Sequence, residues 1–256
     1  MSGGIAVEIS GLRKRFGDTL AVDGIDLRVP EAAFYGLVGR NGAGKTTTLR
    51  MCTALLPPTE GTVVVDGIDV WKDPVEAKQH FGAMPESPSV FDRLTGAELL
   101  LYNGLLRGLD RDLVVARSEE LLRVLGIEEA AGRMVVDYSH GMTKKIVLAA
   151  ALLHAPRVLF LDEPFEAIDP VSTLAMEGLL RRHVSGGGTV VFSSHVLDVV
   201  ERLCDHVAVI EHGRVQAHGT MDEVRGGKRL EEAFIELIGV TVASSEDLTW
   251  LDTSSS

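Results

Sequence analysis

The chain opens on short alternating stretches. Ile5 to Ser10 alternates apolar and polar positions, and Ile25, Leu27 and Val29 repeat the spacing of a half-buried strand. Ala33 to Val38 is instead a continuous apolar run ending at a glycine, which fits a strand buried on both faces. A glycine-rich turn follows, and the pattern then predicts a helix from about Thr46 to Leu56, stopped by Pro57 and Pro58. Thr62 to Val65 predicts another strand, closed by an Asp66-Gly67 turn.

From about Ser87 to Leu153 the pattern becomes mostly helical. Thr95 and Glu98 have the spacing of a capping box for a helix running to about Arg107. A second helix is predicted over about Asp112 to Leu125, ended by Gly126, and a third from near Ser139 to about His154. Strands then return at Val158 to Leu161, Thr189 to Ser193 and Val207 to Ile210, separated by helices at about Val171 to His183 and Val196 to Leu203. This alternation implies a mainly parallel sheet with helices on its faces, and the helical middle reads as an insertion into that α/β core. The end, Ser244 to Ser256, is polar and serine-rich and is expected to fray. No internal repeat is present.

Composition narrows the function. At 256 residues the chain can bury a sizeable interior as one large α/β domain or as a core with a subdomain. A net charge of −12 argues against nucleic acid as a partner and against unaided binding to anionic lipid. Cys52 and Cys204 lie far apart, in no metal-ligand spacing, and read as reduced, inert thiols of a cytosolic protein. No basic stretch followed by an apolar run opens the chain, and no segment approaches the ~18 apolar residues of a membrane span. A membrane role would therefore run through a partner.

The chemistry is concentrated in Gly39-Arg40-Asn41-Gly42-Ala43-Gly44-Lys45-Thr46, which fits the P-loop pattern between a predicted strand and a predicted helix. The glycines let successive backbone N–H groups point at phosphate oxygens, Lys45 adds a cation for the β- and γ-phosphates, and the Thr46 hydroxyl can ligate Mg²⁺. Thr47 continues the phosphate-binding stretch. Val158 to Glu163 is an apolar strand ending in two carboxylates, the Walker B arrangement. Asp162 would hold Mg²⁺, and Glu163 would polarise the attacking water. Taken alone, this pair reads equally as a solvated acidic turn. His195, just after the strand Thr189 to Ser193, would alone be a structural histidine; beside the other parts it suits a γ-phosphate contact that also orients water.

With these motifs in place, the chain resembles the ATPase subunits of ABC transporters over about Val7 to Gly239. Tyr138-Ser139-His140-Gly141-Met142 resembles the family's signature, usually Leu-Ser-Gly-Gly-Gln, with His140 in place of a glycine and Met142 in place of glutamine. The resemblance implies that Ser139, His140, Gly141 and Met142 close over the ATP held by another subunit's P-loop. Phe165 to Pro170 resembles the D-loop, with Asp169 at the dimer seam. Phe16 falls where the family stacks an aromatic ring on adenine, with Val22 flanking it; core packing is the alternative for Phe16. Glu86 stands where the family's Q-loop has glutamine and would be a third Mg²⁺ ligand; a solvated surface glutamate is the alternative. The signature and the Phe165 to Pro170 run look most like subunits that work with ABC-2-type permeases, mostly exporters.

The expected architecture is a P-loop NTPase: a RecA-like core at about 1–87 and 154–240 with an N-terminal antiparallel β subdomain, a helical subdomain at about 88–153, and a polar tail at 241–256. The expected function is ATP hydrolysis by Lys45, Glu163 and His195. A second copy or a homologous subunit and a separate integral-membrane permease would be its partners. The protein would then sit on the cytoplasmic face of the membrane. The rivals are an ABC-type ATPase outside transport and a non-hydrolysing regulatory module. The presence of both Glu163 and His195 weighs against the second.

Overall fold

The structure, a computed structural model, describes residues 4–88 and 90–239. The polar tail expected at 241–256 lies outside the described residues. Strands β1 (Ile5–Phe16), β2 (Thr19–Pro30), β4 (Glu60–Val65) and β5 (Ile68–Asp69) form an antiparallel sheet in the order β2-β1-β4-β5. The β4–β5 turn is the expected one: Asp66 and Gly67 both take positive φ (49° and 81°), the geometry that matches hairpin twist.

The second sheet carries the site. Its order is β10-β9-β3-β8-β7-β6, from β3 (Phe34–Val38), β6 (Phe81–Met84), β7 (Val158–Asp162), β8 (Thr189–Ser194), β9 (His206–Glu211) and β10 (Arg214–Thr220). All neighbours pair in parallel except β9 and β10. The central strands are buried on both faces, as their continuous apolar runs require. Alternate residues serve two cores. Tyr35, Leu37, Phe160 and Val191 pack towards the antiparallel sheet and helix α1 (Lys45–Cys52); Phe34, Val38, Leu159, Leu161 and Phe192 pack towards the remaining helices.

Between β6 and β7 lie α3 (Gly96–Leu106), α4 (Arg111–Val124), two short 3-10 turns and α5 (His140–Leu152), whereas α2 (Pro74–His80) precedes β6. The Thr95–Glu98 capping box is present in full at the start of α3. Helices α6 (Pro170–Ser185), α7 (Leu197–Leu203), α8 (Met221–Arg225) and α9 (Leu230–Ile238) complete the fold. One expected boundary moves: α1 stops at Cys52, four residues before Leu56. Ala54 takes a left-handed φ of 55°, and the Arg50 carbonyl accepts from both Leu55 and Leu56, closing the helix before the prolines. No helix among the described residues is long and apolar enough to cross a membrane.

Candidate functional site

The site forms because three neighbouring strands end together. β3 runs into the P-loop, β7 ends at Asp162, and β8 ends just before His195; β8 lies between the other two. Their carboxyl ends therefore project one loop each into a common crevice, the usual position for a ligand in an open α/β sheet.

Backbone space shapes the P-loop. Gly44 has φ 107°, and a Cβ there would lie 2.7 Å from the Ala21 carbonyl; a Cβ on Gly39 would lie 2.3 Å from the Ile210 carbonyl. Only glycine lets the loop run this close to β2 and β9. A cavity of about 220 Å³ is lined by the loop from Arg40 to Thr47, with Glu86, Glu163 and Ala21. Asn41, Gly42, Ala43 and Gly44 thus surround it, and α1 begins at its edge, adding the positive end of a helix dipole.

The side chains converge in two small networks. Lys45 is buried; its Nζ donates to the Gly39 carbonyl at 2.7 Å and lies 3.7 Å from Glu163 Oε1. Burial pulls its ammonium below the usual lysine range, against the opposing influence of Glu163 and then Asp162. The other Glu163 oxygen, Oε2, is 3.1 Å from His195 Nδ1. In the second network the Thr46 hydroxyl donates to Asp162 Oδ1 at 3.1 Å, and the Ser193 hydroxyl donates to the same oxygen at 2.6 Å. Ser193 also accepts from the Glu163 N–H at 2.9 Å, so one buried hydroxyl holds both Walker B residues. Thr46 and Asp162 present adjacent hard oxygens, and Glu86 lines the same cavity; this donor set fits Mg²⁺. His195 and the outer face of the loop, Gly39 to Ala43, border a second cavity of about 490 Å³ with Glu211, His212 and Phe234.

The remaining expected residues fall elsewhere. Ser139 caps α5 by accepting from the Met142 N–H, and it and His140 are exposed, with Gly141 and Met142 partly so. None of the four lines either cavity bordered by the P-loop. Asp169 caps α6 through the Ser172 N–H, and hydrogen bonds from Ser172 hold its carboxyl below the usual carboxylate range. Its Oδ2 is 3.9 Å from where a Gly141 Cβ would be, so D-loop and signature are neighbours. Phe16 is 49% exposed at the end of β1 and borders neither cavity; the Lys14 ammonium lies 5.3 Å from its ring centre. Val22 requires correction. Its side chain is fully buried beneath Gly44, so it braces the loop from below and presents no face to a base; Ala21, one position earlier, lines the cavity instead.

Sequence reasoning did not single out Ser193 or Lys144. Lys144 is buried in α5, and its ammonium donates to the Glu163 and Glu166 carbonyls. The available signals were a serine pair closing a strand of apolar residues and a lysine inside an apolar helix.

Comparison with known proteins agrees with this geometry. Residues 22–166 match the family described as ABC transporter, and the chain belongs to that family. It is 40% identical to the daunorubicin/doxorubicin resistance ATP-binding protein DrrA of Streptomyces peucetius, over 86% of this chain and 67% of that protein. It is 33% identical to the bacitracin transport ATP-binding protein BcrA of Bacillus licheniformis, over 87% of this chain and 72% of that one. Among solved structures, an ATP-binding subunit of an ABC transporter superposes with a TM-score of 0.86 at 28% identity, covering 91% of this chain and 99% of the other.

Proposed function

We propose that this chain is the ATP-hydrolysing motor of an ABC-2-type exporter, working through a separate membrane permease. The observation that carries the reading is the Glu163 carboxylate, held between Lys45 and His195 at the mouth of the P-loop cavity. That is where the γ-phosphate and an attacking water would meet.

ATP enters with its phosphates over the loop N–H groups. Lys45, now turned onto the Gly39 and Arg40 carbonyls, exchanges those contacts for phosphate oxygens. Thr46, Asp162 and Glu86 would hold Mg²⁺, which when bound neutralises phosphate charge. Glu163 takes the proton side of the attacking water, and His195 orients it and touches the γ-phosphate. Phe16, half exposed, offers a π face to the base.

The signature residues 139–142 line neither P-loop cavity of their own chain. They complete the site of a second copy or of a homologous subunit, so two ATP molecules are held head to tail with Asp169 at the seam. Closing on ATP and reopening after hydrolysis drives the permease, which keeps the subunit on the cytoplasmic face of the membrane. The domain division that serves this is a core at about 1–87 and 154–240 and a helical subdomain at about 88–153. Steady-state ATP turnover by the purified chain tests the reading. Magnesium-dependent turnover that Lys45→Ala abolishes is expected; wild-type protein that binds ATP without turning it over would overturn it.

A further inference from the structure

Lys144 carries an arrangement that the hydrolytic reading does not use. It lies on α5, five residues after Ser139, in a stretch that is otherwise apolar from Ile146 onward. It is only 1% exposed. Its Nζ donates to the Glu163 carbonyl at 2.7 Å and to the Glu166 carbonyl at 2.8 Å. The two oxygens bracket the turn that follows β7, so one ammonium clamps both ends of it.

That turn needs a clamp. Glu163 takes φ 47° and Ala167 takes φ 53°, conformations that residues with a Cβ adopt only when the surroundings impose them. Ser193 holds Glu163 from one side through its N–H, and Lys144 holds it from the other through its carbonyl. A buried ammonium bonded to carbonyl oxygens is costly to keep. Burial pulls it below the usual lysine range, with Glu166 and then Glu163 acting in the opposite direction. An apolar side chain would fill the same space without that cost.

We infer that Lys144 is a positioning residue for ATP hydrolysis, linking the signature helix to the main chain that aims the Glu163 carboxylate. The inference rests on the proposed function and deepens it. In that reading the start of α5 meets the partner's nucleotide while Glu163 serves the chain's own. A shift of α5 on engaging one nucleotide pulls on the turn that sets the carboxylate at the other. Asp169, beside Gly141, lies three residues past the Glu163–Glu166 turn and keeps the same two segments adjacent.

The test uses the purified full chain and the variants Lys144→Met, Lys144→Gln and Lys144→Arg, with MgATP turnover and binding of a fluorescent ATP analogue measured side by side. Lys144→Met keeps the stem and removes the donor. Its kcat is expected to fall at least ten-fold with nucleotide Kd within two-fold of wild type, and Lys144→Arg is expected to recover most of the loss. Should Lys144→Met not fold, Lys144→Gln, which retains a donor but cannot reach both carbonyls, decides by the same kcat-against-Kd split. Wild-type kcat in a folded Met or Gln variant would overturn the inference, as would a parallel loss of kcat and nucleotide affinity. Absence of turnover in the wild-type chain itself would instead overturn the proposed function on which the inference stands.

Discussion

Replacing Ser193 by alanine removes the hydroxyl shared by both Walker B residues. Ser193 is fully buried at the end of β8 and makes two bonds, donating to Asp162 Oδ1 at 2.6 Å and accepting from the Glu163 N–H at 2.9 Å. The bond to a carboxylate is worth about 1.5–3 kcal/mol, and a stranded buried N–H costs about 1–3 kcal/mol. The two belong to one network and do not add in full. The expected loss of stability is therefore about 3 kcal/mol. Urea unfolding followed by tryptophan fluorescence reads this as a lower midpoint at an unchanged slope. Ser185→Ala is the control: that hydroxyl is exposed, bonds only the Arg182 carbonyl among the described residues, and its removal should change stability by no more than about 0.5 kcal/mol. A Ser193→Ala loss indistinguishable from the control would show that this hydroxyl does not hold the site.

Three further outcomes follow from the same geometry. Glu163→Gln keeps ATP binding but loses turnover by roughly 100-fold or more, and size-exclusion chromatography should show an ATP-dependent pair; near-normal turnover would remove Glu163 from its role. Glu86→Ala shifts a magnesium titration of turnover to higher Mg²⁺, while Glu86→Gln, which keeps an oxygen ligand, shifts it less; an alanine titration overlying wild type would leave Glu86 a surface charge. Burial, helped by Arg107 and then Arg117, holds the His154 pKa down at about 4, so the unfolded chain takes up the proton first as pH falls. The stability this histidine contributes is complete above pH 6.5 and is lost between 6.5 and 4; the His154→Gln variant should lack about 2 kcal/mol of the wild-type loss between pH 7 and pH 5.

Much of this was legible because local chemistry and fold agree. A strand buried on both faces, the glycine pattern and a helix start placed the P-loop, and the capping box at Thr95 and the cap at Ser139 are written in residue type. The part after β9 was harder to read. β10 is an edge strand whose half-buried positions are Val215, Ala217 and Gly219, two of them small, so their alternation with the exposed Arg214, Gln216 and His218 carries little hydrophobic signal. The early end of α1 depends on a left-handed alanine, which nothing in its neighbours announces. In the candidate site, the residues that the structure brings together at Lys45, Thr46, Asp162 and Glu163 stood out in the sequence because the P-loop and Walker B patterns have fixed spacing along the chain. Ser193 and Lys144 could not, because their partners lie about 30 and 20 residues away; the pairing of β7 with β8 brings Ser193 to its partners, and the packing of α5 brings Lys144 to the turn after β7. Val22 misled for the opposite reason: the position beside the loop was right, but in β2 its side chain points into the core.

Each ATP site is proposed to combine one chain's P-loop with another chain's signature, and mixing two inactive variants tests this pairing. Lys45→Ala disables the P-loop and leaves the signature intact; Ser139→Arg, at an exposed helix cap, disables the signature and leaves the P-loop intact. Each variant alone should be inactive. In a mixed pair, the intact P-loop of one meets the intact signature of the other, so ATPase activity is expected to return on mixing. Mixed pairs that form and remain inactive, or a Ser139→Arg chain that hydrolyses ATP by itself, would contradict it.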